Sequence, residues 1–419
     1  MSQIAALPNV ATRASEFRAG WSVVLACFCV ATFAWGFGFY GQSVYLAELH
    51  ATRGWPTSLI ASATTVNYLT GALLLTRVHR AIEVLGPRLL LAGGVTIIAA
   101  GAMGLSAVQA PWQLYLCSVV MAIGWAGTTT TAIALTLACW FDRRRGVALS
   151  LALTGASAGG FTIAPLLVRL VHHMGLEQAV TLLALGGLAV LLPMVLAGVG
   201  RVPPGTAQSS HAAASVARND TRTAIASQVQ ALRSRHFWSV ALPFALALAA
   251  QVGFIVHQVS FLLPRLGSGG AGVAIAATAI AAAVGRLAFA PLIDGWNQRA
   301  ASAASFASQA VGLGLILALP DRPEALTIGS VVFGLSVGNV ITLPALIVQR
   351  EFAPQSFGVV VGLSSMVGQA TLAFGPTLLG IARDLTGSYD AAIGLCIGLQ
   401  LVAAVLVLAR EVRPLTPAP

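Results

Sequence analysis

WSVVLACFCVATFAWGFGFYGQSVYL, residues 21–46, runs for 26 positions without one charged side chain. A helix crosses the hydrocarbon core of a bilayer in about 20 residues, and this stretch is long enough to do so. Arg13 and Arg18 precede it, as basic residues precede a secretory leader. The run is too long for a leader's apolar core, and no small-residue cleavage site follows at a suitable distance. It therefore reads as a retained first membrane helix.

Comparable runs recur along the chain. They fall at approximately 20–46, 56–78, 87–108, 112–138, 146–171 and 178–198, then at 236–264, 270–293, 299–319, 324–348, 357–382 and 389–410. Lipid offers no partner to backbone polar groups, so each run is expected to be a helix. Composition agrees: of 419 residues, 57% are hydrophobic and 9% charged. Soluble chains carry roughly a quarter charged residues. The fold expected is an all-α membrane protein with twelve transmembrane helices in two pseudo-symmetric six-helix bundles.

The pairing into halves rests on a linker and a repeat. Residues 199–235 hold Pro203, Pro204, Gly205, a Ser/Ala-rich tract and five arginines, and read as a cytoplasmic linker. Residues 1–198 would form one bundle and 236–419 the other. Gly146-Val-Ala-Leu-Ser-Leu opens span 5 as Gly358-Val-Val-Val-Gly-Leu opens span 11, and Pro165 corresponds to Pro376. Parallel repeats of this kind place a substrate near the midplane at their interface.

The net charge is +10, with no lysine in the chain. The arginines sit in short gaps between apolar runs, which fits membrane topology better than a nucleic-acid surface. With both termini inside, the inner segments collect seventeen arginines and the outer ones only Arg53, Arg169, Arg265, Arg322 and Arg383. That asymmetry favours cytoplasmic termini and an inner-membrane location. The five cysteines lie in or beside apolar runs without metal-ligand spacing. No metal or cofactor is expected. A chain without lysine has no Walker lysine, and Gly155-x-x-x-Gly159-Gly160 lies mid-span without a preceding strand. Its small residues suit close helix packing. An enzyme is not expected.

Three motifs carry a family resemblance. Trp35-Gly-Phe-Gly-Phe-Tyr-Gly-Gln-Ser-Val-Tyr leads to Gly54-Trp-Pro-Thr-Ser. Trp140-Phe-Asp-Arg-Arg-Arg-Gly-Val-Ala joins spans 4 and 5. Gly285-Arg286 is followed by Asp294-Gly295 and Arg299. Together they resemble the bacterial monocarboxylate-transporter-like branch of the major facilitator superfamily, related to its oxalate/formate antiporter-like members. The resemblance extends over essentially the whole chain. It implies a secondary transporter, and it marks Arg286 as the position of the family's carboxylate-binding arginine. Animal relatives carry a lysine on the first helix and an aspartate one turn before that arginine, where this chain has Gln42 and Ala282.

The residues themselves point the same way. Arg286 lies inside span 8, where a charge is costly unless it faces a cavity or a partner. Its planar fork suits a carboxylate. The alternatives are snorkelling or a pair with Asp294. His257, on span 7, is the second candidate ligand or a proton carrier, because imidazole titrates near neutrality. Its alternative is a histidine satisfied by a neighbouring helix. Tyr40, Gln42 and Asn339 complete the candidate substrate site. Asp294, Arg299, Asp142, Arg143 and Arg144, at helix ends, are candidate gating charges. No carboxylate lies squarely at midplane, so a coupled proton would travel on His257, Glu48 or the substrate itself. The function expected is alternating-access transport of a small carboxylate by a chain able to work as a monomer in the lipid bilayer. Drug or metabolite export on the same fold is the alternative, and a membrane sensor or scaffold is a second.

Overall fold

The computed structural model describes residues 15–141, 144–200, 230–293, 297–353 and 356–408. Helices account for almost all of these. Span 1 comprises α1 (Ser15–Trp35), a π-helical turn (Gly36–Tyr40) and α2 (Gly41–Arg53), ended by Gly54 in the left-handed region. Spans 2 and 3 are α3 (Thr57–Leu75) and α4 (Val78–Ser106). Span 4 is broken into α5 (Pro111–Ala126) and α6 (Thr130–Ala138), and α7 (Arg145–Met174) and α8 (Leu176–Gly198) complete the first half. The second half contains α9 (Arg235–Ile293), α10 (Gln298–Ala318), α11 (Pro323–Glu351), α12 (Phe357–Thr386) and α13 (Tyr389–Leu408).

Among the described residues, eleven helices are long and apolar enough to cross a membrane, one of them α9. That helix has 59 residues, which at 1.5 Å each would extend about 88 Å against a core of about 30 Å. It is folded back at Gly267, whose φ of 66° and ψ of 178° suit glycine alone. Gln258 Nε2 donates to Thr278 Oγ1 across the fold at 2.9 Å, which makes the two legs antiparallel. Counted by legs, the described residues form twelve candidate spans.

Within each half the helices meet at small residues. A Cβ on Gly155 of α7 would overlap the carbonyl of Phe28 on α1, and one on Gly375 of α12 would overlap that of Ala249 on α9. Backbone-to-backbone crossings of this kind are available only to glycine. The same crossing recurs in both halves, between spans 1 and 5 and between spans 7 and 11. The break in span 4 is satisfied locally. Thr128 Oγ1 donates to the carbonyls of Gly124 and Trp125, and Thr129 Oγ1 to that of Ala126. These threonines thus serve the helix break, one role open to the hydroxyls of the Thr128–Thr131 run.

The two bundles are joined by hydrogen bonds at one end. The N-cap of α3 is Pro56, which offers no side-chain acceptor. Asp384 of α12 supplies it from the other half. It accepts from Ser58 N at 2.8 Å, from Thr57 N at 3.3 Å and from Thr57 Oγ1 at 2.5 Å. A carboxylate at a helix N-terminus answers both the free N–H groups and the helix dipole. Beside it, Arg383 Nη2 lies 3.3 Å from His50 Nε2. Further along α3, Thr65 bonds Thr377 Oγ1 at 2.7 Å and the carbonyl of Ala373. Thr65 lies eight residues from Thr57, about 12 Å along the helix. Among the described residues, the hydrogen bonds between the bundles all lie in this zone, so the seam is shut at the end where α2 turns into α3.

Candidate functional site

Arg286 lies on the second leg of α9, nineteen residues past the Gly267 fold and therefore about 28 Å from it. Its side chain packs on α11, because a Cβ on Gly338 would stand 2.8 Å from Arg286 Nε. That packing seals Nε, which is buried with no hydrogen-bond partner. No ion pair or hydrogen bond joins any of its nitrogens to another described residue. Asp294, the expected alternative partner, lies outside the described residues. A buried donor left unpaired costs about 1–3 kcal/mol, and such groups are rare in finished cores.

Two other expected residues stand near it. Asn339 follows Gly338 directly, is 4% exposed, and its side chain makes no hydrogen bond among the described residues. Tyr40 closes the π-helical turn on the opposite bundle and is within electrostatic range of Arg286. A Cβ on Gly160 would strike both the Tyr40 ring and Ala279, so Tyr40 reaches the seam between α7 and α9. π-helical turns often mark functional positions, and this one sets the register that turns Tyr40 inward. Arg286 thus packs beside Gly338, the neighbour of Asn339 in sequence, and has Tyr40 of the other half within electrostatic range.

Gln42 and His257 are placed differently. Gln42 Oε1 accepts from Thr64 Oγ1 at 3.2 Å and its Nε2 donates to Gly38 O at 3.4 Å, which ties α2 to α3. His257 is 1% exposed. Its Nε2 lies 2.9 Å from the carbonyl of Pro376 and its Nδ1 lies 3.2 Å from Tyr389 Oη. A carbonyl only accepts, so Nε2 carries the proton and Nδ1 accepts from the tyrosine. Both nitrogens are engaged within the second bundle. His257 is ten residues before Gly267, about 15 Å from the fold, so it and Arg286 differ in depth by about 13 Å. The expectation that the two share one small carboxylate does not fit this geometry.

The gating candidates also divide. Asp294, Asp142 and Arg143 lie outside the described residues. The Arg144 guanidinium stands 6.0 Å from the Phe17 ring centre in the first bundle. Arg299 is 5% exposed and forms a bidentate pair with Glu351, both contacts 2.9 Å. It donates further to Ser239 O, Ser239 Oγ and Val407 O. These partners tie α9, α10, α11 and α13 together, so in this conformation Arg299 pairs within its bundle rather than across the seam. The charges that do cross the seam, Arg383 and Asp384, were not among the expected gates. Their partners lie more than 300 residues away in sequence. Asn67 Oδ1 and Tyr68 Oη, which the sequence offers among many polar residues, are also buried without a partner.

A family model described as Major Facilitator Superfamily matches residues 26–274. The chain belongs to the major facilitator superfamily. Within it, monocarboxylate transporter 11 of Homo sapiens is 32% identical over 312 residues, covering 67% of this chain and 59% of that protein. Monocarboxylate transporter 13 of Bos taurus is 28% identical over 394 residues, covering 89% of this chain and 84% of that protein. The chain thus spans less than two thirds of the length of the human relative. A crystal structure of the nucleoside transporter NupG superposes with a TM-score of 0.75 over 92% of this chain and 99% of that one. Its 13% identity makes it a likeness of fold alone.

Proposed function

We propose that this superfamily member is a secondary transporter that carries a small organic acid by alternating access between its two six-helix bundles. Arg286 is the anchor for the substrate carboxylate, with Tyr40 and Asn339 completing the site. The observation that supports this reading is the half-buried Arg286 of a membrane-spanning helix, whose Nε is sealed with no hydrogen-bond partner, since an arginine without a partner there is costly. A carboxylate would satisfy it with two parallel hydrogen bonds. The names of the monocarboxylate transporters among its relatives agree with that chemistry. So does the resemblance of the sequence motifs to the bacterial monocarboxylate-transporter-like branch.

The same proposal covers topology and coupling. Residues 199–235 link the bundles on the cytoplasmic side, both termini are cytoplasmic, and one chain in the inner membrane suffices. Protons are the candidate co-substrate. With both His257 nitrogens engaged, the substrate's own carboxylate is the better carrier. The shut end of the seam is then the outer one, and Asp384 and Arg383 are its closing contacts.

Proteoliposomes containing the purified chain test this reading. Uptake of radiolabelled aliphatic, keto and aromatic monocarboxylates is expected above the protein-free level, and Arg286→Ala is expected to abolish it. Equal uptake by Arg286→Ala, or uptake confined to uncharged or cationic compounds, contradicts the carboxylate assignment.

A further inference from the structure

A cleft of about 370 Å³ opens where residues 230–235 enter α9. Its rim carries Arg233 and Arg235, and its walls are Trp238, Leu242, Pro243 and, from α13, Leu406. The chemistry is graded along the helix. Leu242 lies seven residues beyond Arg235, so the lining passes from charged to apolar over about 10 Å. The Trp238 indole is fixed across the rim because Nε1 donates to Leu232 O at 2.7 Å. Trp238 and Leu242 are each 39% exposed on a helix that spans the membrane. Neither arginine is paired with an acid among the described residues. Glu351 is committed instead to Arg299 and His236.

We propose that this cleft binds an anionic phospholipid, with its phosphate between Arg233 and Arg235 and the start of one acyl chain along Trp238, Leu242 and Leu406. Charge complementarity selects that occupant. Two unpaired cations at the level of a membrane helix terminus attract an anionic headgroup, and a tryptophan marks the interface beside them. The apolar floor excludes a free anion as the natural ligand, since phosphate alone would leave it unfilled. Ser239 lines the same cleft and accepts from Arg299, so a bound lipid would brace the Arg299–Glu351 cluster.

Native mass spectrometry of the full chain, delipidated and then titrated with phosphatidylglycerol or phosphatidylcholine of matched chains, tests the site. Retention of phosphatidylglycerol over phosphatidylcholine is expected. The double variant Arg233→Gln/Arg235→Gln should weaken phosphatidylglycerol binding about tenfold or more and leave phosphatidylcholine unchanged, since each interfacial arginine is worth about 1 kcal/mol. Leu242→Arg, which blocks the apolar floor while adding charge, should weaken it as well. Equal retention of the two lipids, or retention of phosphatidylglycerol by the double variant, overturns the proposal. So does inorganic phosphate that competes phosphatidylglycerol away at equal concentration, because the site would then recognise a bare anion. The readout involves no transported acid, so its outcome is separate from that of the carboxylate reading.

Discussion

Arg286 and Arg299 stand thirteen residues apart in the same bundle, yet their surroundings are opposite. Arg299 donates to Glu351, Ser239 and Val407, and every nitrogen of its guanidinium has a partner. Arg286 has its Nε buried with none. The fold can satisfy an arginine fully where it needs one as a fastener, and it does so beside the end of the bundle. At Arg286 it leaves the same chemistry unfinished. A saturated cation holds helices together, whereas an unsaturated one inside a membrane is, on the proposed function, the place where the substrate binds.

The sharpest contrast comes from removing the fastener. Arg299→Ala takes from the largely buried Glu351 its bidentate partner, and breaking a buried pair costs about 3–5 kcal/mol. Scanning fluorimetry in detergent should show a large fall in melting temperature, or no folded yield. Retention of wild-type stability would remove Arg299 from the structural side of the comparison.

His257 extends the comparison to a neutral group. His257→Leu strands the Pro376 carbonyl and the Tyr389 hydroxyl, at a cost of about 1–3 kcal/mol. Stability should fall while the carboxylate response persists. Loss of the carboxylate response at unchanged stability would return His257 to the binding site.

A smaller effect is expected at the seam. Asp384→Ala removes the cap that α12 lends to α3, worth about 1 kcal/mol. That energy changes the ratio of shut to open conformers by about fivefold. Electron–electron distance measurements between labels at Arg53 and Leu385 should show a wider distribution in the variant. An unchanged distribution would mean that the Thr65 contacts hold the seam alone.

The smallest effect belongs to Arg286 without ligand. Removing an unpaired donor takes away a penalty rather than a bond, so Arg286→Ala should change unliganded stability by less than about 1 kcal/mol. A fall as large as that of Arg299→Ala would reveal a structural partner for Arg286.

Much of this architecture is legible in the sequence because lipid imposes a length rule on apolar runs. The twelve spans, the charge inside span 8 and the glycines of span 5 all follow from local composition. Where the bounds differ, a local signal explains it: α2 continues to Arg53 because Gly54 is the first residue to adopt the left-handed cap. The site was only half legible. Arg286 declares itself as a charge in an apolar run, but nothing local distinguishes His257, whose partners Pro376 and Tyr389 lie 119 and 132 residues away. Arg299 reads as a gating charge at a helix end for the same reason, since Glu351 and Val407 reach it only after the bundle closes. The role of Asp384 as a cap for α3 depends on a neighbour 327 residues distant.

The most direct test of the unpaired guanidinium is ligand-dependent stability, measured by scanning fluorimetry on the wild type and Arg286→Ala side by side across a panel of monocarboxylates. A ligand at a hundred times its dissociation constant stabilises the folded state by about 2.7 kcal/mol. The wild type should rise in melting temperature with at least one carboxylate, and the variant, equally stable without ligand, should not respond. A variant that responds as the wild type does would show that the carboxylate binds elsewhere and that Arg286 is not its anchor.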